Sequence, residues 1–300
     1  MTKNIALLSA ALLSIVALAS GCKNEDSSTD DEANLGTDEA QLVADDSESD
    51  DADSNLDNGV EAPLSGADPT DPGNPADGAS DEEMLGKVSA NAGKHFAIAR
   101  CLESTRDGNK MHHIFKACRT PWSLKTFEGT VDSTYVRDGN KLTITHVFNG
   151  FIANGATISG TRVVTYTRTP STASTGGFII AKTRTGNFTG KTKKDKDISH
   201  TANFSATYDS GAKCIEREGS AQTTIANRSF ERVLTDYKRC GIGALGCPEA
   251  GGKLTLSKTN TDKDKSVTLT IETLGGTKIK VTRPNGKEVE RTLVCNEAAN

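Results

Sequence analysis

Seven cysteines, five histidines and a few closely spaced acids are the residues with which this chain could do chemistry. His95, Cys101, His112, His113 and Cys118 fall close together in the sequence, as metal ligands often do. Their spacing matches neither a Cys-x-x-Cys pair nor a His-x-x-x-His pair, so no metal is expected there. Ser210 and Lys213 have the Ser-x-x-Lys spacing of a serine nucleophile beside a lysine base. They fall in a turn between two strand patterns, and the companion S-x-N and K-T-G motifs are missing, so the spacing reads as chance. Glu128 with Asp132, and Glu216 with Glu218, put carboxylates on one strand face, the raw material of a glycoside hydrolase, which needs two carboxyls about 5 Å apart in the retaining class. Their Thr and Arg neighbours favour solvated strand polarity instead. The "DKD" at 195–197 is a weak calcium ligand because lysines flank and separate its acids. No phosphate loop, dinucleotide glycine pattern, G-x-S-x-G or H-E-x-x-H occurs, so the residues favour a protein that is not an enzyme and uses no cofactor.

The cysteines divide into one and six. Residues 1–21 have a short basic start at Lys3, an apolar run from Ile5 to Ala19, and small residues ahead of Cys22. The run is short for a bilayer span, which takes about 20 apolar residues, and has the layout of an export signal. Ala19-Ser20-Gly21-Cys22 resembles the lipobox of bacterial lipoproteins, with Ala19 at the place three before the cysteine where that family usually has Leu, and Leu18 one place earlier. The resemblance covers residues 1–22 only. It implies a diacylglyceryl group on the Cys22 sulfur, cleavage to make Cys22 the N-terminus, and further acylation, since stable anchoring takes more than one chain. It also implies a cell-envelope location. Lys23, rather than Asp, after the lipidated cysteine points to the outer membrane under the sorting rule of enteric bacteria. Asn-x-Ser/Thr triplets at Asn187, Asn203 and Asn227 then carry no glycosylation meaning.

The remaining six, Cys101, Cys118, Cys214, Cys240, Cys247 and Cys295, are an even set in an exported chain and read as disulfides. Local closure favours Cys101–Cys118 and Cys240–Cys247, which leaves Cys214–Cys295. A rival scheme pairs Cys247 with Cys295 and Cys214 with Cys240.

Charge separates the chain into two parts. Residues 23–85 hold 21 acids and one base, Lys23, with no aromatic residue. Such a stretch buries too little apolar surface to offset its ordering entropy, so residues 22–85 are expected to be a disordered acidic tether. An alternative has this segment folding back to screen the rest. Residues 86–300 hold 33 bases and 19 acids, a formal +14 hidden within a whole-chain charge of −5. A body so basic is drawn to polyanions such as anionic polysaccharide, although it carries no specific nucleic-acid motif.

The elements that must position these groups are strands. A short stretch at 89–104 has helical character, and "HHIFKAC" reads as an amphipathic turn with Ile114 and Phe115 inward. Period-two alternation then takes over: Phe127, Val131 and Tyr135 share a face, as do Leu142, Ile144 and Phe148. About seven Thr-rich antiparallel strands fill 86–246, with glycines inside them at Gly129, Gly160, Gly186 and Gly219 marking bends or bulges. Four shorter strands joined by hairpins fill 247–300. The expectation is an all-β, disulfide-stapled meander (a curved sheet, sandwich or barrel-like body) with a small C-terminal β unit. Its function reads as an envelope-anchored, non-enzymatic lipoprotein that contacts a glycan or anionic polymer. The alternatives are a cell-wall hydrolase or an assembly partner that pairs through a strand edge. The sequence leaves the oligomeric state open.

Overall fold

The computed structural model describes residues 35–67, 80–98, 100–121, 125–241, 246–260, 265–293 and 295. Cys22, Lys23 and the lipobox lie outside the described residues. Thirteen antiparallel strands follow one another in chain order across a single open sheet whose first and last strands do not pair. They are β1 (Leu102–Asp107), β2 (Lys110–Arg119), β3 (Thr126–Asp138), β4 (Lys141–Ala153), β5 (Ala156–Pro170), β6 (Phe178–Lys191) and β7 (Asp197–Asp209). The chain continues through β8 (Cys214–Ile225), β9 (Arg228–Cys240), β10 (Lys253–Asn260), β11 (Lys265–Gly275), β12 (Lys278–Thr282) and β13 (Glu288–Thr292). The all-β antiparallel meander expected from the alternation is therefore the fold. The C-terminal strands extend the same sheet, since Leu254 of β10 stands opposite Leu234 of β9.

Two strands come from sequence with a different local signal. The helical stretch of 89–104 ends early: α2 covers Asp81–Ala92 and β1 begins at Leu102. "HHIFKAC" is part of β2 rather than a turn, with Phe115 buried and Ile114 only half-buried. The register shifts between Phe115 and Cys118, where Ala117 takes a φ of 50°. That bulge puts two inward residues three apart and so imitates a helical spacing. Further shifts sit beside Gly129 in β3 and Gly219 in β8. Gly160 permits a close approach, because a Cβ there would meet the Asn187 carbonyl oxygen at 2.2 Å.

The acidic segment departs from the disordered tether expected of it and, over residues 37–64, takes the fold-back alternative. Thr37–Leu56 is a helix, α1, which continues through a wide π-type turn, Asp57–Glu61, and a last turn, Ala62–Leu64. It lies across the strands on one face of the sheet. Going from Asp45 to Leu64, its polar partners come from β9, β8 and β7, then β6 and β5, and finally β3. Leu42, Leu56, Val60 and Leu64 are fully buried in the main core, which also holds Phe115, Phe127, Phe148 and Phe151. Burying each such side chain is worth about 1.5–3 kcal/mol. The ordering entropy expected to keep this stretch unfolded is therefore met by apolar burial and ion pairing that its composition alone does not reveal. A second, smaller core forms where Met84, Leu85 and Val88 of α2 meet Met111, Tyr135, Leu142 and Ile144. Ser80 starts α2 with a reciprocal cap: its hydroxyl accepts from the Glu83 amide, and the Glu83 carboxylate accepts from the Ser80 amide at 2.9 Å.

Three disulfides join Cys101–Cys118, Cys214–Cys240 and Cys247–Cys295. The scheme favoured by local closure holds only for the first, and the rival scheme accounts for the other two. Cys214 and Cys240 stand directly opposite in β8 and β9, so strand register rather than sequence proximity sets the pairing.

Candidate functional site

Most of the residues able to do chemistry lie apart from one another. His112 pairs with Asp132 at 2.7 Å, while His113 is buried against the Ser104 hydroxyl at 2.8 Å. His95 faces the Ala67 carbonyl, and Cys101 and Cys118 are consumed by their disulfide. Among the described residues, one cluster has metal-ligand geometry, Cys214, Cys240 and Glu249, but its two sulfurs form a disulfide and are not free thiolates. Glu128, Asp132, Glu216 and Glu218 are exposed. Glu216 pairs with Lys238 at 3.1 Å, and Glu218 accepts from the Ser205 hydroxyl. Ser210 accepts a hydrogen bond from the Phe178 amide at its hydroxyl oxygen, which holds a turn. Asp197 pairs with Lys191, and Asp195 occupies a turn with a φ of 58°.

What the fold does assemble is two unlike faces. The face under α1 carries cations amid the apolar residues. Arg162 of β5 meets Asp53, Asp57 and Glu61, at 2.9 Å for Asp57 and 2.6 Å for Glu61. Arg184 of β6 donates to Asp53 at 2.5 Å and to Asp57 at 2.6 Å, and Lys182 pairs with Glu61. Arg232 of β9 pairs with Asp50 and lies 3.7 Å from Asp46. Arg228 holds Asp45 in a two-pronged contact at 2.7 and 2.8 Å. At the β6–β7 turn, Lys193 meets Asp51, and Lys194 and Lys196 meet Glu48. Burial alone would raise the Asp53 and Asp57 carboxyls, but Arg184, together with Arg162, overcomes it and holds both well below the usual carboxylate range. Asp46 has weaker compensation, and burial pushes it up to about 6. None of these carboxylates stands out singly in the sequence, where the stretch reads first as a tether and only in the alternative as a fold-back screen.

Histidines and hydroxyls continue this buried polar band. His146 Nδ1 is 2.8 Å from the Ser133 hydroxyl, and His200 Nδ1 is 2.9 Å from Thr223 Oγ1 and 3.1 Å from Ser49 Oγ on α1. Burial depresses His146 to about 3, and His113 and His200 to about 4, so all three are neutral imidazoles.

The opposite face is hydroxyl-rich across the middle of β5–β8, with Lys191, Asp197 and Glu216 towards its ends. Register places Thr165, Thr183 and Ser205 in one row, ending at Glu218. Val163, Thr185, Asn203 and Ser220 make the next. Thr161, Asn187, Thr201 and Gln222 follow, and then Ser159, Thr189, Ser199 and Thr224. Within these four rows only Val163 and Glu218 interrupt a lattice of Thr, Ser, Asn and Gln, and no base enters them. Strand geometry spaces the side chains about 4.8 Å apart across strands and about 6.7 Å apart along them. The centre of this face is thus made almost wholly of neutral hydrogen-bonding groups whose positions the backbone ladder fixes.

Among the described residues, no helix is long and apolar enough to cross a membrane. Comparison with known proteins leaves function to be read from the site alone: no protein-family model, no curated protein and no solved structure matches the chain.

Proposed function

We propose that this chain is an envelope-anchored lipoprotein, held by acyl chains on Cys22, whose role is non-enzymatic binding of a glycan. The observation that carries the glycan reading is the neutral lattice of Thr, Ser, Asn and Gln on β5–β8. Hydroxyls and amides both donate and accept, which suits a polymer presenting hydroxyls. Their rigid spacing lowers the ordering cost of binding. The companion reading, contact with an anionic polymer, rests on the +14 of residues 86–300. It has weaker support, because Arg162, Arg184, Arg228 and Arg232 already hold acids of α1.

The test is co-sedimentation of the mature chain with insoluble peptidoglycan and with a neutral polysaccharide, over a range of salt. Retention that persists in salt and falls about tenfold, or 1.4 kcal/mol, in Thr185→Glu/Asn203→Glu supports the glycan face. The double variant must melt like the parent for that result to count. Retention lost steeply with salt, and unchanged in the variant, would hand the function to the anionic-polymer reading. Mass mapping of the Cys22 peptide tests the anchor.

A further inference from the structure

The acidic segment leaves part of the inward face of the sheet to other groups. It meets β8 at Thr223 and β7 at His200, then passes on to Arg184 and Lys182 of β6. Nearer the β7–β8 turn, the same inward positions carry Phe204, Ala206 and Tyr208 on β7 and Arg217 on β8, all half-buried. We infer that these residues form a binding site for a sugar ring that carries a carboxylate, with Arg217 as the anchor of that carboxylate. Arg162, Lys182, Arg184 and Arg232 also stand inward, and each meets carboxylates among residues 50–61. Arg217 makes no ion pair and donates no hydrogen bond among the described residues. It lies between Ala206 and Tyr237 in the ladder, where burial lowers its proton affinity and Tyr237 and Asp57 restore only part of it.

A guanidinium drawn out of water without a counter-charge costs stability, and a perturbed group of that kind marks a functional site when its neighbours suit a ligand. Its fork of donors fits a carboxylate through two parallel hydrogen bonds, and it stays charged at neutral pH. The neighbours set the rest of the ligand. Ala206 stands between Arg217 and Lys182 in the ladder, which places those two cations about 10 Å apart. The alanine methyl leaves room between them for one ring. Along β7, Phe204 and Tyr208 stand about 6.7 Å to either side of Ala206. Arg184 lies over the Phe204 ring at 5.1 Å, and the Phe178 ring meets that of Tyr208 at 6.3 Å, so both aromatics are held in place. Aromatic side chains pack against the C–H face of a sugar, and the Tyr208 phenol adds a polar tip. Lys182 is already paired with Glu61, so it offers sugar hydroxyls a donor rather than a second free charge. A bare inorganic anion would leave Phe204 and Tyr208 without contact, and a neutral sugar would leave Arg217 unpaired. The site lies on the face opposite the neutral lattice and does not rest on it.

The experiment is calorimetric titration of the whole protein with glucuronate, glucose and acetate. Glucuronate should bind saturably, at least about tenfold more tightly than either of the others. Arg217→Gln should weaken glucuronate binding about tenfold or more, and Ala206→Leu should do the same by filling the space while leaving the charge. Arg217→Met supplies a reading that a merely structural arginine would not give. With an unpaired charge removed, the urea midpoint should hold or rise. The inference is overturned by the absence of saturable glucuronate binding, by acetate or glucose bound as tightly, by unchanged affinity in Arg217→Gln, or by a midpoint that falls in Arg217→Met. Co-sedimentation of Arg217→Gln with neutral polysaccharide keeps this outcome apart from that of the outer lattice, which the substitution does not touch.

Discussion

At the scale of single residues, the contact between α1 and the sheet is demanding in shape and in charge. Gly59 sits in the π-type turn, where an added Cβ would lie 2.2 Å from the Phe127 ring. An alanine in place of a helical glycine ordinarily stabilises by up to about 1 kcal/mol. Here overpacking reverses the sign, and Gly59→Ala should lower the urea midpoint by the equivalent of about 1–3 kcal/mol. A midpoint that rose would mean that the helix stands off from Phe127. Arg162 gives the matching test of charge. Its guanidinium faces three carboxylates and is almost wholly buried. Arg162→Met would leave Arg184 and Lys182 to hold Asp53, Asp57 and Glu61, and should cost about 3–5 kcal/mol in the same assay. A loss below about 0.5 kcal/mol, the range of ordinary surface changes, would show that these acids do not depend on Arg162.

At the scale of elements, legibility in the sequence follows from how each element is buried. Strands β3–β9 and β10–β13 are readable because one face is apolar and the other is wet, which writes alternation directly into the residues. In β2 the bulge at Ala117 breaks that alternation, and β1 has hardly a buried residue to display it. Helix α1 is hidden for a different reason. Its acids look like those of a solvated tether, and their partners lie over 100 residues away. A local signal is nevertheless present at the far end. Arg162, Arg184 and Arg232 occupy inward positions of their strands, beside Val164, Phe188 and Leu234. An arginine placed on an apolar strand face demands an acid from elsewhere, and residues 37–64 are the acid-rich stretch able to supply it. The neutral lattice on β5–β8 is visible as Thr-richness, but only strand register turns composition into rows. The choice between tether and docked helix can be tested at one side chain. Leu56→Ala is silent in a tether, whereas a fully buried leucine in the core loses about 2–5 kcal/mol on truncation. Chemical denaturation reads the difference, and a value near zero would return the acidic segment to solvent.

For the whole molecule, the buried titratable groups make stability depend on pH in a direction set by their environments. His113, His146 and His200 are held at about 4, 3 and 4, below the ordinary 6.5, chiefly by burial. Each therefore favours the folded state fully above pH 6.5, and that contribution is lost as the pH falls towards 4. Asp46, raised to about 6 by burial, works the other way. Its contribution is complete below its ordinary 3.8 and is lost as the pH rises through 6, so acidification to pH 5 restores part of what the histidines lose. Asp53 and Asp57 are held low against burial by their arginines, and they contribute fully throughout this range, failing only in stronger acid. Three histidines outweigh one aspartate. A tenfold difference in proton affinity between folded and unfolded chain is worth about 1.4 kcal/mol, so the balance between pH 7 and pH 5 is a loss on the order of 4 kcal/mol. Urea unfolding at pH 7, 6 and 5 should show the midpoint falling at each step. His146→Gln should flatten the decline, because it removes the most depressed imidazole while keeping a polar group beside Ser133. A midpoint that held steady from pH 7 to pH 5 would mean the imidazoles are hydrated in the folded state. The band from Ser104 through His146 to His200 would then be open to water, and α1 would not seal the face beneath it.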